Sequence, residues 1–372
     1  MGKIEFCAPC LFGLEGVLAK ELKDIEAENI RAENGRVLFS GDYNTLARAN
    51  ICLRTAERVC IVLGSFYAKT FDNLFEGTKR LPFERFIGKN NAFPVSGWSL
   101  DSRLFSVRDC QKIIKKAAVT RLSEKYKVSW FEETGSTVKI RFSILKDSVT
   151  IMLDTSGEPL HKRGYRAQST IAPIKETLAA AMVMLSRPYS DSTLYDPFCG
   201  SGTILVESAL IAAGIAPGLK RRFAAENWGS VKPIVFKNER IRARESINRG
   251  IEFKAVGSDI DENAVALTLE NAEKAGVEEF VTAKTSDISD FSPATERGII
   301  VTNPPYGERL LDIDEARRLY GVCGRVFEKK HGYRYSVISP DEQFEQLFGR
   351  PADKRRKLYN GMLKCNLYMY FK

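Results

Sequence analysis

Between Ser192 and Ile211 the chain passes from a short apolar segment, Thr193-Leu194-Tyr195, through Asp196-Pro197-Phe198-Cys199-Gly200-Ser201-Gly202-Thr203 into the largely apolar Ile204-Leu205-Val206-Glu207-Ser208-Ala209-Leu210-Ile211. A buried strand, a glycine turn and a buried helix in that order commit the C-terminal half to a layered α/β sheet. The helix opens at the strand's C-terminal edge, where open α/β sheets bind ligands. Gly200 and Gly202 permit a tight turn and let a ligand approach the backbone closely. Leu205 stands where a dinucleotide fingerprint has its third glycine, and no lysine follows as in a phosphate loop. The turn therefore suits a nucleoside and carries no equipment for a pyrophosphate or triphosphate.

The next strand-like run, Lys254-Ala255-Val256-Gly257-Ser258-Asp259-Ile260-Asp261, ends in carboxylates. Asp259 is placed to accept hydrogen bonds from ribose hydroxyls. Asp261 reads as the N-cap of the helix that continues through Ala264, Leu267 and Ala272. Asp287, beyond Phe280-Val281-Thr282-Ala283-Lys284, is placed to reach an adenine amino group. A further buried strand, Gly298-Ile299-Ile300-Val301-Thr302, stops at Asn303-Pro304-Pro305-Tyr306, because two prolines continue neither a ladder nor a helix. One reading of this tetrapeptide is a turn that merely ends a strand. The other is a site: the amide and the carbonyls can hold an exocyclic amino group while the tyrosine stacks on its ring, which suits a nucleobase.

The segments DPFCGSGT (residues 196–203), SDIDENAV (258–265) and NPPYGERL (303–310) resemble the cofactor and catalytic motifs of class I S-adenosylmethionine-dependent methyltransferases that act on amino groups. LHKRGYR (160–166) and APIKETLAAA (172–181) are similar to the THUMP-containing RNA guanine-N2-methyltransferases, whose best-known bacterial members modify 23S ribosomal RNA. The resemblance implies an α/β fold with a C-terminal Rossmann-like methyltransferase domain built on a seven-stranded mixed sheet. A small ferredoxin-like α+β unit and a THUMP domain would precede it. It implies S-adenosyl-L-methionine as cofactor, held by Asp196, Pro197, Phe198, Gly200, Gly202, Thr203, Asp259, Ile260, Asp287 and Asn303. Asn303, Pro304, Pro305 and Tyr306 would be catalytic: Tyr306 stacks on a guanine flipped from its helix, while the Asn303 side chain and the Pro304 carbonyl accept hydrogen bonds from its amino group. The expected reaction is methylation of guanosine N2 in RNA, with 23S RNA as target. A tRNA guanine-N2 enzyme, an adenine-N6 or glutamine methyltransferase, and a non-catalytic RNA-binding assembly factor stay open as alternatives.

Charge supports an RNA partner. The net charge is +9, and residues 79–127 alone carry 12 Lys and Arg against 4 Asp and Glu, whereas residues 1–78 carry 9 against 11. Within the basic stretch, Ser106-Val107-Arg108-Asp109 opens a helix as a capping box. Arg108, Lys112, Lys115 and Lys116 fall on one side of that helix and are expected to meet RNA phosphates. Lys162, Arg163 and Arg166 form a second basic candidate, and Lys220-Arg221-Arg222, inside a predicted helical insertion at residues 213–249, a third.

The seams predict a ferredoxin-like unit at 1–65, a THUMP domain at 66–155, a linker at 156–171 and the methyltransferase domain at 172–372. Arg355 to Tyr359 and Met362 to Phe371 flank Asn360-Gly361, a hairpin signal. No run approaches the ~18 apolar residues of a membrane span, which points to a cytoplasmic protein with no membrane partner. The eight cysteines are scattered, as reduced thiols are. Cys7-Ala8-Pro9-Cys10 lacks the second pair of a zinc site, and His161 and His331 are too far apart for a zinc hydrolase, so no metal is expected.

Overall fold

The computed structural model describes residues 3–166, 174–188, 191–307, 312–328 and 331–371. Residues 167–171 of the predicted linker, Ala172 and Pro173 of the APIKETLAAA stretch, and Glu308-Arg309-Leu310 of NPPYGERL lie outside the described residues.

The first unit comprises β1 (Ile4–Pro9), α1 (Glu15–Asp24), β2 (Glu28–Glu33), β3 (Arg36–Gly41) and α2 (Tyr43–Cys52). There follow β4 (Cys60–Tyr67), α3 (Phe71–Lys79), β5 (Val95–Leu100), α4 (Val107–Tyr126), β6 (Ile140–Leu145) and β7 (Ser148–Asp154). All seven strands join in one mixed sheet of order β2-β3-β1-β4-β7-β6-β5. Strand β4 pairs antiparallel with β1 on one side and β7 on the other, so the ferredoxin-like and THUMP units share a continuous ladder across residue 65. Alternation decides which face is covered. Phe6 and Ala8 of β1, Phe142 and Ile144 of β6, and Ile151 and Leu153 of β7 are buried in the core with Leu18, Leu46, Leu74 and Ile114 of the four helices.

The second half contains α5 (Glu176–Ser186), β8 (Thr193–Asp196), α6 (Thr203–Ala212), α7 (Pro233–Glu245), β9 (Lys254–Asp259), α8 (Glu262–Ala275) and β10 (Val281–Thr285). It ends with β11 (Gly298–Thr302), α9 (Ile313–Val326), β12 (Tyr333–Ser339), α10 (Phe344–Phe348), β13 (Lys354–Asn360) and β14 (Leu363–Tyr370). The sheet order is β10-β9-β8-β11-β12-β14-β13, parallel except for the final hairpin. From β8 the chain winds outward through β9 and β10; from β11 it winds the opposite way to β12. The order reverses between β8 and β11, and that switch point leaves a crevice beyond their C-terminal ends. Leu205 on α6 is fully buried, and a Cβ on Gly257 of β9 would lie 2.5 Å from its Cδ1. The missing fingerprint glycine is thus exchanged for a leucine facing a glycine.

Residues 213–249 hold the two halves together. Helix α7 lies on α2 through Arg48, whose Nε and Nη2 donate to Glu239 at 2.8 and 3.1 Å. Trp228 Nε1 donates to the Thr137 carbonyl at 3.0 Å, and Gly218 N to the Ile51 carbonyl at 2.8 Å. Among the described residues no helix is long and apolar enough to cross a membrane.

Candidate active site

The crevice at the switch point is a cleft of about 1230 Å³. Its floor is the β8–α6 turn (Asp196 to Ile204), its walls are Asp259 to Leu267 on one side and Asn303 to Tyr306 on the other, and its rim includes Ser286, Asp287, Arg318 and the hairpin tip at 360–363. Gly200 (φ 53°) and Gly202 (φ 76°) both adopt the left-handed conformation that the turn requires. A Cβ at Gly202 would meet the Thr268 side chain at 2.7 Å, so that helix start also needs glycine for space.

Asp196 ends β8 and is buried. Its Oδ1 accepts from Thr302 Oγ1 at 2.6 Å and from Phe198 N at 3.2 Å. Burial pushes its carboxyl up to about 7; the Thr302 hydroxyl and Phe198 amide oppose this, and the Asp259 charge adds to it. A carboxyl raised this way stabilises the fold fully below the ordinary value near 3.8 and loses that contribution as pH rises to about 7. The stability of the wild type relative to Asp196→Asn should therefore fall across that window and level off above it. Denaturant titrations at a series of pH values check this, and a difference independent of pH would contradict it.

Asp259 closes the other side of the turn. Its Oδ2 accepts from Gly200 N at 2.9 Å and its Oδ1 from Asp261 N at 3.1 Å, which leaves lone pairs on each oxygen facing the cleft. Asp261 is the N-cap of α8, accepting from Asn263 N at 2.9 Å. Asp287 also lines the cleft, and the Ser289 hydroxyl and amide hold its carboxyl below the usual range. Pro197, Phe198, Thr203 and Ile260 line it too. Cys199 is buried with its thiol pushed well up by desolvation, which leaves it a packing residue. The same cause pushes Cys7 and Cys10 up to about 12, so neither carries thiolate for redox work.

Asn303, Pro304, Pro305 and Tyr306 face the glycine turn across the cleft. The Tyr306 hydroxyl donates to Asn303 Oδ1, the atom expected to receive the substrate's amino group. Its ring lines the cleft and also packs against the main core, and burial pushes its phenol well up. Sequence reading supplied both residues but not their contact, which arises because the turn folds back within three residues. Thr302, Arg318 and the hairpin tip were also missed. The tip carries a readable turn, yet only the β12-β14-β13 order brings it to the cleft.

The basic candidates divide. Arg108, Lys112 and Lys116 are exposed on α4. Lys115 is not available to RNA: it donates to the Phe93 carbonyl at 3.2 Å, pairs with Glu133 and lies 3.5 Å over the Phe93 ring. Lys162 is exposed but pairs with Glu158 at 2.8 Å. Arg163 is a correction. It is buried, with Nη1 on the Leu160 carbonyl and Nη2 on the Arg54 carbonyl, each at 2.5 Å, and Nε 3.3 Å from Glu207 Oε1. Tyr165 donates to the same Glu207 oxygen at 3.1 Å. Arg166 is also corrected: it pairs with Glu176 at 3.0 Å and donates to the Ile174 carbonyl at 3.1 Å, so it anchors α5. His161 sits beside Glu57 at 3.3 Å. Arg221 of the third candidate donates to the carbonyls of Glu158, Pro159 and Leu160, so it too is structural.

Comparison with known proteins matches this layout. The family model for an RMKL-like methyltransferase domain matches residues 163–369, that for an RlmL ferredoxin-like domain matches 5–60, and that for a THUMP domain matches 68–154. The chain is 44% identical over 373 residues to the "Putative RNA methyltransferase YpsC" of Bacillus subtilis (strain 168), covering 100% of this chain and 97% of that protein. It is 34% identical over 377 residues to the "Ribosomal RNA large subunit methyltransferase K/L" of Shewanella baltica (strain OS195), covering 99% of this chain and 53% of that protein. The chain thus spans about half the length of the K/L protein. The crystal structure of SMU.472, "a putative methyltransferase complexed with SAH", superposes with a TM-score of 0.94 at 40% identity, covering 100% of this chain and 98% of the other. SAH is what S-adenosylmethionine becomes after giving up its methyl, and the cofactor here is S-adenosylmethionine. The glycine turn, the Asp259 lone pairs and the apolar Phe198 and Ile260 fit a nucleoside, and the cleft exceeds the ~300–1,000 Å³ of a single small-molecule pocket, leaving room for a second planar group. The chain belongs to the RMKL-like methyltransferase family.

Proposed function

We propose that the chain methylates the exocyclic N2 amino group of a guanosine in RNA, and that the RNA is 23S ribosomal RNA. One observation carries the chemistry: the Asn303-to-Tyr306 turn opens into the same cleft as the glycine turn, so amide, carbonyls and ring meet the place where a nucleoside fits. The names of the two relatives support RNA as substrate class, and that of the K/L protein supports the large ribosomal subunit.

S-adenosylmethionine supplies an electrophilic methyl on a sulfonium. Asp259 would accept from its ribose hydroxyls and Asp287 from its adenine amino group, while the turn from Asp196 to Gly202 would lie against it. The target base leaves its helix, because N2 is unreachable while stacked. The Tyr306 hydroxyl then gives up Asn303 Oδ1, and the amide oxygen and the Pro304 carbonyl take the two amino hydrogens. These bonds orient the nitrogen lone pair, which is otherwise delocalised into the ring, toward the methyl. The nitrogen becomes acidic as it gains positive charge, so water or a carbonyl suffices to take its proton.

Labelled S-adenosylmethionine incubated with total RNA from a strain lacking the protein, followed by size separation, tests the target. Label in 23S RNA is expected. Label in tRNA would keep the chemistry and overturn the target.

A further inference from the structure

We infer that the β13–β14 hairpin is an RNA-engaging wedge: its basic outer face holds the backbone beside the target, and Met362 at its tip enters the base stack as the target leaves. The inference rests on the proposed action on a base flipped out of RNA, and adds the part that displaces it.

Three observations meet at this hairpin. Met362 is 99% exposed, the most exposed large apolar side chain among the described residues. An apolar side chain this bare stands at the rim of the cleft, where Asn360, Gly361, Met362 and Leu363 all line the wall. Asn360 pairs with Leu363, so Gly361 (φ 65°) and Met362 are the two turn residues, and Met362 projects from the tip. The second observation is charge. Arg355 stands opposite Tyr368, Lys357 opposite Asn366 and Tyr359 opposite Lys364, and residues two apart share a face. Arg355, Lys357 and Lys364, all exposed, therefore form a basic stripe running to the tip, with Tyr359 between the two lysines. Glu345 engages Arg355 and the Lys357 ammonium lies 5.5 Å from the Tyr359 ring centroid, while both lysines stay exposed to meet phosphates. The third is support. The opposite face is buried through Leu358 and Cys365, and Arg356 Nε and Nη2 donate to the Gly13 carbonyl at 3.1 and 2.8 Å. Arg356 and Leu358 share that face, so the methyltransferase core and the N-terminal unit together back the hairpin from behind, and a hairpin braced this way can push against a stack.

Proteins that unstack bases insert apolar side chains of this kind, methionine among them. Methionine's flexible thioether fits whatever gap the departing base leaves.

The test uses the full chain and two RNAs: folded 23S transcript, and a short single-stranded fragment carrying the nucleotide that the enzyme methylates in it. Unstacking is needed only for the first. Met362→Ala should lose at least about tenfold more single-turnover rate on the folded RNA than on the fragment, and Met362→Leu should recover most of it. Lys357→Gln with Lys364→Gln should instead raise the Kd for folded RNA and flatten its salt dependence. Equal losses by Met362→Ala on both RNAs would mean a structural role and overturn the wedge, as would wild-type rates on both. No labelling by the wild type on either RNA would overturn the proposed function itself, an outcome distinct from both.

Discussion

Asn303→Ala lowers kcat by at least about 100-fold while S-adenosylmethionine affinity, read by calorimetry, stays within about twofold of the wild type. The magnitude follows from removing one preorganised hydrogen-bonding group that acts where charge develops, typically worth about 10²–10³ in rate. Affinity is spared because the cofactor's remaining contacts come from the other wall of the cleft, the β8–α6 turn and the Asp259 segment. The side effect on folding is small, since Asn303 is only half-buried and the Tyr306 hydroxyl keeps the Asn360 side chain as a hydrogen-bond partner. Turnover like that of the wild type would remove Asn303 from the mechanism. A joint loss of turnover and cofactor binding would place it in the cofactor site instead.

Arg163→Ala has the largest expected effect on stability, a loss of about 3–5 kcal/mol in urea unfolding. The guanidinium is buried between the halves of the chain, and its partner Glu207 is 0% exposed. Truncation leaves that carboxylate with the Tyr165 hydroxyl as its hydrogen-bond donor and strands the Arg54 carbonyl, while the Leu160 carbonyl keeps its bond from Arg221. Arg163→Met together with Glu207→Leu removes both charges and should cost less than the single change, because no carboxylate is left without its cation and the neighbouring buried Arg54 keeps Glu21 as its acid. A single variant within about 1 kcal/mol of the wild type would mean that the ion pair does not hold the halves together.

These two residues mark how far the sequence could be read. Asn303 was legible because two prolines after a buried strand force a turn at the sheet edge, whatever the rest of the chain does. The glycine turn and the Asp261 cap were legible for the same reason: each is a local backbone demand met by a residue type suited to it. So was the Ser106 cap, whose hydroxyl accepts from Asp109 N at 3.4 Å and donates to its carboxylate at 2.6 Å. Arg163 was misread because charge in a sequence is silent about burial. Its neighbours His161, Lys162 and Arg166 make a basic cluster on paper, but the structure spends three of the four on Glu57, Glu207 and Glu176, acids brought from distant elements. Lys115 failed likewise, since Glu133 arrives from a loop beyond the helix end. The shared ladder through β4 was invisible because a strand paired on both edges has the same alternation as one paired on a single edge.

The Tyr306–Asn303 bond carries a similar lesson for the site. Motif spacing supplied the amide and the ring as separate tools, whereas the folded turn joins them, so a substrate must exchange one hydrogen-bond donor for another at Asn303 Oδ1. Such an exchange keeps the amide oxygen oriented and partnered until an amino group arrives.

The most direct test of the account is the identity of the modified nucleoside. RNA methylated by the purified chain is digested to nucleosides and analysed by mass spectrometry. N2-methylguanosine is the expected product, absent when Asn303→Ala replaces the wild type. N6-methyladenosine, or methyl label that partitions with protein instead of RNA, would contradict it.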